Sequence, residues 1–382
     1  VTGSGVGPPD VLPQLPGPAP PTVAPVHTKI EMIDCSDISV IIPVHNGGKN
    51  FINCLNSLVT SCSQYREVIV VVDGDSDGSW QRAHTVGARV IRLPETGGPA
   101  QARNVGAQIA SGAILFFMDA DVCLHPETLP KVAIAFDADP DLAALIGSYD
   151  NQPGAPNFLS QYRNLLHHFT HQTGASSANT FWGACGAIRR EIFLSIGGFD
   201  IAYRRPTIED IELGYRLKAS GFRIGLFKDI QVKHLKRWGV RSLLKADFFY
   251  RALPWTELIL REQRLDNDLN LSLTSRLSVI LSFGLLGSLS FGIFSGLLGW
   301  NLTAVLGLTT AMQISLMLWL NTPFYQFLHR ERDLWFMLQA LPWHWLYFFY
   351  SGLAFIVGSL RFWMRRQKCS ASAVFSKILP SN

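Results

Sequence analysis

The chain is poor in charge. Asp, Glu, Lys and Arg make up 16% of its 382 residues, against about a quarter in typical soluble domains. The deficit is local: residues 277–328 contain none of the four, and neither do residues 334–360. Both runs exceed the roughly 20 apolar residues that cross a bilayer. None of the six cysteines (35, 54, 62, 123, 185 and 369) forms a CxxC pair. They read as reduced, mostly buried thiols of a cytosol-facing protein, and a disulfide framework is not expected. No basic segment followed by an apolar one occurs near the N-terminus, so no secretory leader is expected. The formal charge of +4 gives no reason to expect a nucleic-acid partner.

What is present divides into parts. Residues 1–34 are rich in Pro and Gly, as in Pro16-Gly17-Pro18-Ala19-Pro20-Pro21, and are expected to form a disordered or polyproline-like tail. From Ile38 onward, short β-rich runs (38–44, 67–72, 89–93, 114–118 and 142–147) alternate with amphipathic stretches near 50–62, 99–111 and 126–138. That alternation predicts an α/β domain whose sheet is largely parallel and covered on both faces. Ligands bind at the carboxyl ends of such strands, so the polar residues just after each strand are the ones to question. Residues 223–251 then carry eight Lys or Arg against two Asp. Within them Val240, Leu243, Leu244, Phe248 and Ala252 recur at helical spacing, and Pro254 is expected to break the helix before Trp255. A cationic amphipathic helix of this kind suits an anionic membrane surface; an ordinary helix packed on the domain is the alternative.

The strand ends carry the chemistry. After the second run comes Asp73-Gly74-Asp75-Ser76-Asp77-Gly78-Ser79. Its spacing imitates a calcium loop, but His84 stands where the closing Glu belongs, and a strand rather than a helix precedes it. Asp75 and Asp77 fit a solvated turn, whereas Asp73 adjoins the strand and can face a nucleoside. After the fourth run, Phe116-Phe117-Met118 leads straight into Asp119-Ala120-Asp121. Two carboxylates at a buried strand end are costly unless a cation neutralises them. Hard oxygen ligands suit Mg²⁺ or Mn²⁺ bound together with substrate phosphates.

Taken as a set, these segments resemble glycosyltransferase family 2. The resemblance rests on Ile41-Ile42-Pro43-Val44-His45-Asn46, Val71-Val72-Asp73-Gly74, Gly97 through Gly106, Asp119-Ala120-Asp121, Gly197-Gly198-Phe199-Asp200 and Glu209 through Leu217. It covers about residues 38–240, in the family's order and spacing. The resemblance implies a GT-A fold, a nucleoside-diphosphate sugar donor, a divalent metal (Mg²⁺ or Mn²⁺) and inversion at the anomeric carbon. It also implies roles. Pro43 and Asp73 line the nucleoside pocket with Arg103 beside them, and Asp119 falls near the donor's ribose and sugar. Asp121 contacts the metal, and Asp210, beside Glu209, is the catalytic base. Where the family usually has Tyr and an acidic residue, this chain has His45 and Gly47. His234-Leu235-Lys236-Arg237-Trp238 resembles the QxxRW block of processive synthases with His in place of Gln. This leaves Arg237 and Trp238 as substrate contacts and His234 as a third-ligand candidate for the metal; a structural His beside a basic helix is its alternative. For Asp210 the alternative is a helix cap, since Thr207-x-x-Asp210 fits a capping box.

The expected organisation is therefore a tail (1–34), a GT-A domain (35–238), basic interfacial helices (239–272), a transmembrane region (273–362) and a basic tail (363–382). Spans are expected near 277–298, 302–320 and 336–360, the last edged by Trp343, Trp345, Tyr347 and Tyr350. Three spans would put the tail outside, while Arg361, Arg365, Arg366, Lys368 and Lys377 argue that it is inside; either the third segment is re-entrant or interfacial, or the positive-inside signal is overridden. The expected function is an inverting transferase at the cytosolic face of the cell membrane, multi-pass, acting on a lipid or lipid-linked acceptor. A processive polysaccharide synthase and an inactive sugar-nucleotide-binding partner are the alternatives.

Overall fold

A computed structural model describes residues 34–61, 65–299 and 302–378, with the backbone alone for 368–378. The tail expected over 1–34 lies, but for its last residue, outside the described residues. The eight strands are β1 (Ile38–Val44), β2 (Glu67–Val72), β3 (Arg89–Arg92), β4 (Ile114–Met118), β5 (Val122–Leu124), β6 (Leu142–Tyr149), β7 (Cys185–Arg189) and β8 (Arg223–His234). They form one sheet in the order β3-β2-β1-β4-β7-β6-β8-β5. Pairings among β1 to β4 are parallel, as is β6 with β8, whereas β7 runs antiparallel to both its neighbours and β5 antiparallel to β8. The sheet is thus mixed rather than largely parallel, and its parallel half is β3-β2-β1-β4.

Buried strands explain the apolar runs. Every residue of β4 and β6 is buried, so both faces need apolar side chains. One core packs α1 (Gly48–Ser61) and α4 (Thr128–Ala138) through Phe51, Leu55, Leu58, Val132 and Phe136. The other packs α3 (Pro99–Ile109) and α7 (Glu209–Ala219) through Ala102, Ala107, Leu213 and Leu217. Three further helices complete the domain: α2 (Ser79–Thr85), α5 (Phe158–Thr173) and α6 (Arg190–Ser195).

Beyond the sheet, α8 (Val240–Lys245) passes through a π-helical turn (Ala246–Ala252) into α9 (Leu253–Glu262). Pro254 does not break this helix. It sits in the first turn of α9, where a missing N–H costs least, and the wide turn before it accommodates the ring. Four helices follow: α10 (Leu273–Leu297), α11 (Thr303–Leu320), α12 (Thr322–Glu331) and α13 (Leu334–Ile378). Among the described residues, three helices are long and apolar enough to cross a membrane: α10, α11 and the Leu334–Gln367 part of α13. The charge-free run 277–328 therefore ends in a separate helix, α12. Its Phe324, Tyr325 and Leu328 are buried against Tyr162, Leu165 and Leu166 of α5.

Candidate active site

The site lies at the carboxyl ends of β1, β2 and β4. Asp73 follows β2, and its backbone N–H donates to the Val44 carbonyl at the end of β1 (2.8 Å). Its buried carboxylate accepts from the N–H groups of Gly97 (2.7 Å) and Gly98 (2.8 Å), which clamps the turn ahead of α3. Only glycine fits at 98: φ is +90°, and a Cβ would lie 2.3 Å from the Arg204 carbonyl oxygen. His45 Nδ1 lies 2.6 Å from the Asp73 carbonyl oxygen, so it carries the proton and donates. Half-buried Pro43 sits beside Val71 in the β1–β2 ladder. These residues make the floor expected to receive a nucleoside. Asp75 instead caps α2, accepting from the backbone N–H groups of residues 77 to 80.

Arg103, on α3, joins the two acidic motifs. Its guanidinium donates to Asp119 (2.7 Å) and to Glu209 (2.8 Å). Burial disfavours the charge, but Asp119 and Glu209 outweigh it and hold the guanidinium more firmly protonated than in water. Arg103 is thus turned onto carboxylates rather than toward a nucleobase. The other Glu209 oxygen accepts from the Thr207 N–H (2.9 Å), so this buried carboxylate is fully committed within the protein. Asp119 keeps one oxygen free, with a side chain 37% exposed.

Asp121 stands where β5 meets β8. Val122 pairs with His234, and the Leu235 N–H donates to the Asp121 carbonyl (2.8 Å). This register brings His234 Nε2 to 4.0 Å and Lys236 Nζ to 3.8 Å from the Asp121 carboxylate. The His234 ring stacks on Tyr149, with centroids 4.2 Å apart and planes within 9°. Burial, followed by the Lys236 charge, pushes His234 down to about 3. The imidazole is neutral and can offer a nitrogen lone pair. Among the described residues no group of three or more His, Cys, Asp or Glu side chains gathers around a point. One carboxylate and one neutral imidazole nevertheless fit a cation that takes its remaining ligands from a diphosphate and water.

Asp210 begins α7. Its carboxylate accepts from the Gly183 N–H (3.0 Å) and the Ile211 N–H (2.8 Å). The loop carrying Gly183 is pressed on α7, since a Cβ at Gly214 would lie 2.3 Å from the Phe181 nitrogen. Burial and then the neighbouring Glu209 push Asp210 up to about 7, against the two N–H donors and Arg103. The capping box does not form: the residue ahead of α7 is Ile208, and the Thr207 hydroxyl donates instead to the Tyr250 carbonyl (2.5 Å). A carboxylate raised toward neutrality and not consumed as a cap is suited to proton abstraction. Arg237 is exposed. Trp238 is buried against Leu159 and Leu243, with Lys236 over its ring at 4.8 Å. Sequence reasoning missed Tyr149, which stacks on His234, and gave no role to Lys236. It missed Gly183 as well, because a backbone donor leaves no side-chain signal.

A mixed α/β sheet with acidic residues at the carboxyl ends of its parallel strands defines a GT-A glycosyltransferase domain. Residues 39–197 match the family model described as glycosyl transferase family 2. A Haemophilus influenzae protein described as an uncharacterized glycosyltransferase is 30% identical over 47% of this chain and 61% of its own length. The chain thus spans less than two thirds of that relative. A dolichol-phosphate mannosyltransferase of Pyrococcus furiosus is 27% identical over 65% of this chain and 71% of its own. Among solved structures, the mannosyltransferase PcManGT from Pyrobaculum calidifontis, in complex with GDP-Man and Mn²⁺, shares the fold. Its TM-score is 0.57 at 19% identity, over 85% of this chain and 89% of that one.

Proposed function

We propose that the protein transfers a sugar, with inversion, from a nucleoside diphosphate to a lipid or lipid-linked acceptor at the cytosolic face of a membrane. The observation that carries this is the β5–β8 register, which sets Asp121 and the neutral His234 4.0 Å apart beside Lys236. Asp121 and His234 would hold Mg²⁺ or Mn²⁺, which supplies Lewis-acid stabilisation of the leaving diphosphate when bound. Pro43 and Asp73 floor the nucleoside pocket, and the free oxygen of Asp119 reaches toward ribose or sugar. Arg103 and Glu209 hold Asp119 and the start of α7 in register. Lys236 and exposed Arg237 add positive charge where the diphosphate departs, and buried Trp238 fixes the strap that carries both. Asp210, ionised at and above about pH 7, takes the proton from the acceptor hydroxyl as it attacks.

Support for donor and acceptor comes from the relatives. The Pyrobaculum enzyme holds GDP-Man and Mn²⁺, and the Pyrococcus relative is named for a lipid-linked product. The test is a panel of UDP-, GDP- and dTDP-sugars incubated with Mn²⁺ and membrane lipid extract, with free nucleoside diphosphate and labelled lipid as readouts. Release of nucleoside diphosphate without glycosylated lipid would remove the acceptor class. No release from any donor would remove the activity.

A further inference from the structure

The membrane-length helices differ in what they touch. Helices α10 and α11 form a hairpin closed at its base by Asn321, whose side chain donates to the Ser278 hydroxyl (2.9 Å). From Ser278 to the end of α10 is 20 residues, about 30 Å of helix, matching the roughly 30 Å of a bilayer's hydrocarbon. Along that length Leu286, Leu289, Ile293, Val305, Leu308 and Met312 are exposed. Polar side chains meet inside the hairpin, where Ser288 donates to Gln313 (2.9 Å) and lies 3.0 Å from the Thr310 hydroxyl. Apolar groups outward with hydroxyls and amides facing one another is the pattern of helices packed in lipid.

Helix α13 is different: polar groups of α5, the π-helical turn and α9 hold it from just before its start as far as Arg365. At its start Arg332 donates to Gln161 (2.6 Å) and to the Asn151 carbonyl (2.8 Å). At its middle the Tyr350 hydroxyl donates to buried Asp247 (2.6 Å), which also receives Arg163 and Arg251. Near its end Arg365 pairs with Glu257 of α9 (3.2 Å). These anchors stand 18 and 15 residues apart, about 27 Å and 22 Å along the helix. Both stretches are shorter than the roughly 20 residues of a typical span, so a crossing α13 would draw the buried Asp247–Arg163–Arg251 group toward the hydrocarbon, which is costly. Between anchors the packing is equally close: Trp343 touches Leu159, and a Cβ at Gly358 would lie 2.9 Å from Thr256.

The opposite side of α13 is an apolar stripe. Trp335, Leu338, Leu346, Ile356, Leu360 and Trp363 are all exposed. At 100° per residue they fall within one face about 100° wide. Helix α10 rises from this same face of α13: Phe349 lies within the stripe, and its ring is 5.1 Å from that of Phe283.

We infer that α10 and α11 cross the bilayer as a hairpin, and that α13 lies along the membrane surface with its stripe in the lipid and its other face on the catalytic domain. Trp343, Tyr347 and Tyr350 then serve the domain rather than marking the edge of a span. The C-terminal segment, with Arg361, Arg365, Arg366, Lys368 and Lys377 and no acidic residue, stays on the side of the catalytic domain, as positive charge near a membrane favours. The third apolar segment and the basic tail no longer conflict.

The experiment is topological and needs no catalysis, so its failure and that of the proposed activity are distinguishable. Full-length protein carries one epitope before Val1 and a second either after Asn382 or between Asn301 and Leu302. It is probed with protease in sealed right-side-out and inverted vesicles, after carbonate-resistant retention has shown that each version is inserted. The epitopes before Val1 and after Asn382 should be lost in the same vesicles, and the one after Asn301 only in the opposite set. An Asn382 epitope on the far side would make α13 a span. An Asn301 epitope on the near side would mean that the hairpin does not cross.

Discussion

Asp210→Asn separates chemistry from stability in opposite directions. The carboxyl is pushed up from 3.8 to about 7, first by burial and then by Glu209. Its folded value lies above its unfolded one, so its contribution to stability is fully present below about pH 4 and is lost as pH rises through about 7. A shift of about three units at 1.36 kcal/mol each sets an upper bound on the order of 4 kcal/mol. Asp210 is half-buried, so solvent screening leaves about 1–3 kcal/mol. The Asp210→Asn protein keeps an oxygen for the Gly183 N–H and has no charge to ionise. At pH 8 it should therefore melt a few degrees above wild type, and at pH 4 the difference should vanish. Transfer should fall by about 10²–10⁴-fold, the usual worth of a general base. The acid limb of wild-type kcat/KM, expected near pH 7, should be missing from any residual activity. Differential scanning fluorimetry from pH 4 to pH 8, beside initial rates, reads all three. Wild-type turnover, or a lower melting temperature at pH 8, would refute the reasoning.

Chelation with EDTA should abolish transfer, and Mg²⁺ or Mn²⁺ should restore it. His234→Ala should need at least about tenfold more Mn²⁺ for half-maximal rate, because one of two protein ligands is gone; an unchanged metal titration would exclude the residue. Arg103→Met leaves Asp119 and Glu209 without their shared partner and should cost about 3–5 kcal/mol in chemical denaturation. Arg103→Lys should recover little of that, since an ammonium cannot reproduce a guanidinium that reaches both carboxylates. Replacing residues 279–320 by a short Gly-Ser linker should leave the melting temperature near wild type, because Ser278 and Asn321 already touch; the protein should then be extractable by alkaline carbonate. Truncation after Gln263, by contrast, uncovers Tyr162, Leu165 and Leu166 and should lower the melting temperature as well as release the protein.

Strands β1, β2, β4 and β6 were legible because their burial on both faces demands continuous apolar runs, whereas β3, exposed or half-buried throughout, showed only through its β-branched Val90-Ile91. The ones missed obey other rules. β5 has three residues, β7 contains Gly186 and Arg189, and β8 places Lys228, Asp229 and Lys233 among its apolar residues. Alternation of that kind merges with the basic stretch that follows. The cost of missing β8 was the site's geometry, since its pairing with β5 is what brings His234 to Asp121. Asp73, Asp119 and Asp121 stood out by chemistry and Asp210 through the resemblance; Gly97 and Gly98 were seen only as part of a motif block, and Gly183 not at all, because backbone N–H groups act without a side-chain signal. Composition could not separate α10 and α11 from α12 and α13 either. An apolar helix face looks the same whether lipid or the α5 surface will cover it, and the arginines and tyrosines that pin α13 meet partners 100 to 180 residues away in the chain.

The central claim is that Asp121 and His234 hold a divalent ion for a nucleoside-diphosphate sugar. Calorimetric titration of purified full-length protein with UDP-, GDP- and dTDP-sugars, with Mn²⁺ and with EDTA, tests it most directly, beside the Asp121→Asn protein. One nucleotide class should bind to wild type with Mn²⁺, and its binding should be lost or greatly weakened in EDTA and in Asp121→Asn. Equal binding in all three conditions, or no binding of any donor with Mn²⁺ present, would contradict it.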